Sequence, residues 1–182
     1  MQKTIRINLN EKELNDLTKR LDNWAKMMDD AAKNIVDDLS KYSAKKMRNI
    51  HQQSSFKSST PMQFKIEGTE YKKTVSMSGE QALYEEFGTG TMGAMNPHPI
   101  KNQFDLKPYN SGRTIRTVSK GVSEKTGLQE GTLYWTYKDE GGQTVYTQGI
   151  PAFKPGYDSY QATLNKTPSI IKKRMSEVIK GA

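Results

Sequence analysis

The hydrophobic positions of this chain alternate between two spacings, and the switches divide it into elements. Ile5, Ile7 and Leu9 alternate with polar residues in "TIRINL", the two-residue period of a half-buried strand. Asn10 then caps a helix opening "EKELNDL", with acidic residues in the turn where the helix dipole favours them. Beyond it Trp24, Met28, Ala32, Ile35, Leu39, Tyr42, Met47 and Ile50 recur at steps of three to five residues. Lys26, Asp29, Asp30, Lys33, Asp37 and Lys41 fall between them. The pattern predicts one apolar stripe on a helix over about 11–51, roughly 55 Å long. So long a helix either breaks near Asp22-Asn23 or runs past the core as an arm.

"HQQSSFKSSTP" interrupts the stripe as a loop. "MQFKIEG" and "YKKTVSMSG" predict a strand pair turning around Gly68-Thr69-Glu70. Ser78 and Gln81 have the spacing of a capping box for a short helix from Gly79 to Phe87, with a left-handed cap at Gly88. Sheet and short helix thus occupy about 63–90. From 91 to about 131 the periodicity is lost, and the segment reads as a long inserted loop or arm, with Ile115 and Val118 the candidates for a short strand. "TLYWTYKDEGGQTVYTQG" restores alternation at Leu133, Trp135 and Tyr137 and predicts a second hairpin. Tyr157, Tyr160 and Leu164 then fit one helical face, and Thr167-Pro168 is placed to cap a renewed helix carrying Ile171, Met175 and Val178. Hairpin and C-terminal helix fill about 132–182. The order gives a single α+β domain over 1–182, with a mainly antiparallel sheet packed against a long N-terminal and a C-terminal helix.

Composition narrows the chemistry. The 182 residues carry 28 Lys+Arg against 20 Asp+Glu, a net charge of +8, and mean hydropathy is -0.83. A chain this polar leaves part of itself outside a core and has surface to cover with something else. The absence of cysteine removes disulfide frameworks and thiolate metal sites. The first residues lack the apolar core of a signal peptide, and no run approaches the ~20 apolar residues of a membrane span. The expectation is a soluble protein made in the cytoplasm, with no membrane partner.

"ALYEEFGTGTMGAMNPHP" concentrates the residues that suggest a site. A Walker loop needs Gly-Lys-Ser/Thr opening a helix, and no lysine follows Gly88, Gly90 and Gly93. A dinucleotide fingerprint needs a strand before its glycines, whereas a helix precedes these. His51 and His98 are the two histidines, and no paired-ligand spacing joins either to carboxylates. A Glu86–His98 centre of a metal-dependent hydrolase is the catalytic alternative. The reading adopted makes Phe87, Gly88, Thr89, Gly90, Pro97, His98 and Pro99 a structural corner, with no catalytic, cofactor or metal role and no cofactor required.

Basic residues support a further alternative. Arg113, Arg116, Lys120 and Lys125 lie in the arm with Tyr109 nearby, and Lys172, Lys173, Arg174 and Lys180 lie on the last helix. They suit sequence-independent contact with a nucleic-acid backbone, or a solvated face.

In order, "YEEFGTG" (Tyr84–Gly90), "NPHP" (Asn96–Pro99), "YWTYKDEGG" (Tyr134–Gly142) and "GIPAFKPGYDSY" (Gly149–Tyr160) resemble the tail-completion or head–tail joining (neck) proteins of long-tailed bacteriophages. The likeness runs from about Trp24 to Ala182. It departs from the family at "AFKP", where Phe153 stands ahead of Pro155, and in a longer insertion between Pro99 and Gly131, whose role is not carried over. The resemblance implies a virion component without catalytic activity, located at the neck of the virion and in the host cytoplasm during assembly. It implies a homo-oligomeric ring, six-fold to match the tail, that contacts other neck and tail proteins; a basic lumen in such a ring would suit non-specific contact with passing DNA. Trp24, Phe87, Tyr134, Trp135 and Phe153 are the aromatic residues to test as interface anchors.

Overall fold

The computed structural model describes residues 10–54, 61–79, 81–103, 116–138 and 141–181. Helix α1 runs Glu11–Gln53 without interruption. At about 1.5 Å per residue it is about 64 Å long. The Asn10 side chain accepts the Glu13 N–H at 2.9 Å, so the cap read from the sequence forms. No break occurs at Asp22-Asn23; good helix formers flank it on both sides, with neither glycine nor proline nearby. The strand expected at Ile5–Leu9 lies outside the described residues.

The C-terminal helix, α5, runs Pro155–Gly181. It lies antiparallel on α1: Arg174 clasps Asp38 through Nε at 2.9 Å and Nη2 at 3.0 Å, and Gly181 abuts Met27. Ala31, Ser40, Ala44 and Met47 of α1 and Ser159 and Val178 of α5 are buried. Small residues in these positions let the two helices approach closely. The expected restart at Thr167-Pro168 does not occur. Pro168 sits inside one continuous helix, and the Thr167 hydroxyl donates to the Thr163 carbonyl at 2.9 Å. Tyr160 and Leu164 of the stripe expected there are exposed, at 57% and 48%.

Strands β1 (Gln63–Gly68) and β2 (Lys73–Ser78) form the first hairpin, with Phe64 opposite Met77 and Ile66 opposite Val75. The hairpin packs on α1 and is pinned to it by polar contacts. Lys33 pairs with Glu70 at 3.0 Å, Tyr71 donates to Asp29, and Lys73 reaches Asp37 at 2.7 Å.

Helices α2 (Ala82–Phe87) and α3 (Gly90–Met95) follow, then a 3-10 turn at Lys101–Gln103. Strand β3 (Arg116–Thr117), helix α4 (Lys120–Thr126), β4 (Leu133–Lys138) and β5 (Thr144–Thr147) complete the sequence. The second sheet has the order β3-β4-β5 and is antiparallel, so the fold is α+β, with two small sheets among the described residues. The segment expected as a loop over 91–131 therefore carries most of α3, the 3-10 turn, β3 and α4. These elements are too short to show a hydrophobic period. Of the two residues expected in a strand here, Val118 follows β3 directly and is buried, and Ile115 lies outside the described residues. The short helix starts at Ala82 rather than Gly79, and Gln81 at its cap makes no side-chain cap bond.

Candidate functional site: the Glu-Glu-Phe-Gly-Thr corner

Helix α2 ends where three parts of the chain meet. Gly88 has φ 68° and ψ 175°, a region open to glycine but not the left-handed cap that the sequence suggested. The extended ψ sends Thr89 alongside the segment before α5. Its N–H donates to the Ile150 carbonyl at 2.9 Å, and its hydroxyl accepts the Ile150 N–H at 3.1 Å. The approach leaves no room for side chains. A Cβ on Gly88 would stand 2.6 Å from the Ala152 nitrogen, and one on Gly149 would stand 2.0 Å from the Thr89 carbonyl oxygen.

Glu86 supplies the start of α5 from another element. Its carboxylate accepts the Gly156 N–H at 2.7 Å and the Tyr157 N–H at 2.8 Å. These are backbone donors of the first turn, where a negative group also meets the positive end of the helix dipole. His98 completes the cluster. Its Nε2 lies 2.9 Å from Glu86 Oε1, while Nδ1 accepts the Ile100 N–H at 3.3 Å. Because a backbone N–H can only donate, Nδ1 is the acceptor and Nε2 carries the hydrogen given to Glu86. The ring is 3% exposed between Phe87, at 4.7 Å between centroids, and Tyr157, at 5.1 Å.

Glu85 points the other way. Its side chain is fully buried, with Oε2 2.7 Å from His51 Nδ1 at the end of α1. Oε1 has no hydrogen-bond partner among the described residues. Its backbone carbonyl accepts the Phe153 N–H at 2.9 Å. Two consecutive glutamates thus engage the two histidines: Glu85 ties the corner to α1, and Glu86 ties it to α5 and to the Pro97-His98-Pro99 loop. Sequence reasoning missed the His51–Glu85 pair. The signal available was that a Glu-Glu dipeptide on a helix this short sends neighbouring side chains to different faces.

Of the corner residues, Phe87, Gly88, Thr89 and His98 are buried, while Pro97 and Pro99 are exposed; Gly90 is the first residue of α3. Among the aromatic candidates, Tyr134 and Trp135 lie in the core at 5% and 7% exposure. Both faces of β4 are covered there, so the alternation expected at Leu133, Trp135 and Tyr137 does not sort inside from outside: Leu133 and Tyr137 are exposed. Phe153 is half-buried. Trp24 is 49% exposed.

The basic candidates are scattered. Arg116 and Lys120 are exposed beside the second sheet, and Lys172 and Lys173 are exposed on α5. Lys125 stands 5.5 Å over the Tyr146 ring. Arg174 is committed inside the fold: Glu177 accepts one hydrogen bond at 3.0 Å and Asp38 two more, which together raise its pKa further. Arg113 and Tyr109 lie outside the described residues. No group of three or more His, Asp and Glu side chains among the described residues is placed to hold a metal ion, and no described helix is long and apolar enough to cross a membrane. Comparison of the chain with family models, curated proteins and solved structures returns no match.

Proposed function

We propose that this chain is a structural virion protein of a tailed bacteriophage that acts at the neck, as a tail-completion or head–tail joining component, through assembly into a ring. The observation that carries the reading is the distribution of large apolar side chains. Tyr160, Leu164 and Ile171 are exposed along α5, and Leu83, Met92 and Met95 around the corner. Exposed apolar side chains gathered on a helix face suit contact with another chain. Subunits of a ring meet through heterologous contacts, which place two different faces of each chain against its neighbours. A stable contact of this kind buries on the order of 1,200–2,000 Å².

The corner supports the same reading from inside. Glu86 and His98 are bonded to a helix start and to each other, which suits a part that fixes α5 against α2. A metal-dependent hydrolase would need those same atoms for its ion. The test is electron microscopy of the protein alone and mixed with isolated tail tubes. Rings that seat on tube ends are expected; a strictly monomeric protein that never associates with tubes would contradict the proposal.

Sequence-independent nucleic-acid binding is the second reading, favoured by the exposure of Arg116, Lys120, Lys172 and Lys173. A salt series of DNA binding separates the two. Loss of one phosphate contact in Lys172→Ala should reduce the log–log salt slope by roughly 1.

A further inference from the structure

Gly181 of α5 lies beside Met27 of α1. The residues of α1 before Met27 continue for about 24 Å, some four turns. Along this arm Leu14, Leu17, Leu21, Trp24 and Met28 recur at alternating steps of three and four, the repeat of a helix–helix seam. The seam carries on into Ala31 and Ile35, where α5 packs on α1. Leu14, Leu21 and Trp24 are 44%, 57% and 49% exposed. A helix of this length is marginal by itself in water, so the arm gains most from a second helix on its apolar stripe.

Charge selects that second helix. Glu11, Glu13 and Asp16 against Lys12 give the first part of the arm a net charge of −2. Lys19, Arg20 and Lys26 against Asp22 give the rest +2. The arm is therefore neutral overall in a chain of +8, so its two copies do not repel as wholes. Side by side in parallel, two arms would align like charges at both ends. Antiparallel, each acidic part lies along a basic one, and Leu14 and Leu17 face the partner's Trp24 and Leu21.

We infer that the arm's occupant is the arm of a second copy of this chain, packed antiparallel about a two-fold axis near Lys19. The pair is isologous, so it stands apart from the heterologous contacts that close a ring, and it joins free subunits whether or not rings form.

The absence of native cysteine makes a direct test possible. Leu14→Cys chains and Trp24→Cys chains, each oxidised alone, should give little cross-linked dimer; mixed and then oxidised, they should give a Leu14–Trp24 cross-linked heterodimer in high yield. The double variant Leu17→Glu/Leu21→Glu should weaken dimerisation roughly 100-fold or more in sedimentation equilibrium. It should leave the thermal transition of the folded body in place, since the arm lies beyond the packed core. Efficient Leu14→Cys self-cross-linking would show parallel arms and overturn the inference. So would a monomeric wild type at high micromolar concentration, or a dimer indifferent to Leu17→Glu/Leu21→Glu, in which case another face or another protein covers the arm. Loss of rings in microscopy with the mixed cross-link intact would sink the ring proposal alone.

Discussion

The corner around Glu85 and Glu86 and the first turns of α1 allocate their side chains in opposite ways. At the corner, two carboxylates and two imidazoles turn inward, and Glu85 and His98 are almost wholly removed from solvent. On the arm, leucines and a tryptophan turn outward on a helix that has capped itself through Asn10. Buried polar groups need partners in fixed positions, so the corner dictates one arrangement of α1, α2 and α5. Exposed apolar groups need only cover, which another chain can give. The difference teaches that the motif most suggestive of chemistry makes bonds that join α1, α2 and α5, while the plainest helical stripe is left on the surface.

Substitutions at the corner should therefore reduce stability, and substitutions on the arm should reduce association. The largest expected loss is Glu86→Ala, which removes an acceptor shared by the Gly156 and Tyr157 N–H groups and His98. A loss of about 4 kcal/mol is expected from urea titration, with a melting temperature lower by about 12 °C. Gly149→Ala comes next, at about 3 kcal/mol, because φ is +91° and the new Cβ would meet the Thr89 carbonyl oxygen. His51→Ala deprives the buried Glu85 carboxylate of its partner and should cost about 2 kcal/mol in the same titration. A corner indifferent to all three would dissolve the contrast.

A smaller effect is expected where the hairpin meets α1. Hydrogen bonds from Lys41 and Lys73 hold the Asp37 carboxyl below its ordinary value of 3.8. The folded state then binds this proton less readily than the unfolded state. The contribution is present above that ordinary value and is lost as pH falls through the lowered one. Asp37→Asn should lower the neutral plateau slightly and converge on the wild type at low pH, which flattens the acid limb of the stability–pH curve. The smallest stability change, under about 0.5 kcal/mol, is expected for Trp24→Ala, because the ring is half in solvent already. That variant should nonetheless lose most self-association, which sharpens the comparison with Glu86→Ala.

The sequence shows local structure well here and long-range bonding poorly. Asn10 announced α1 because an N-cap and its N–H partner lie within one turn, and both hairpins followed from alternation around glycine turns. The α+β class followed from that order. What alternation could not show is the double burial of Tyr134 and Trp135, where a strand is covered on both faces. Nor could spacing show that Glu86 caps a helix seventy residues away, or that His51 meets Glu85 across thirty-four. The first pairing forms only once the start of α5 reaches α2, and the second once α2 packs against the end of α1. Thr167-Pro168 has the local form of a helix start, yet α5 runs through it, since packing along α1 outweighs the one backbone bond that proline removes.

The most direct measurement is a sedimentation-velocity concentration series on the wild-type chain, Trp24→Ala and Glu86→Ala. Self-association that rises with concentration in the wild type and is lost in Trp24→Ala is expected. Glu86→Ala, studied below its lowered melting temperature, should still associate. A wild type that sediments as one monomer at every concentration, or a Trp24→Ala variant that associates as the wild type does, would contradict a protein that works through its exposed helix.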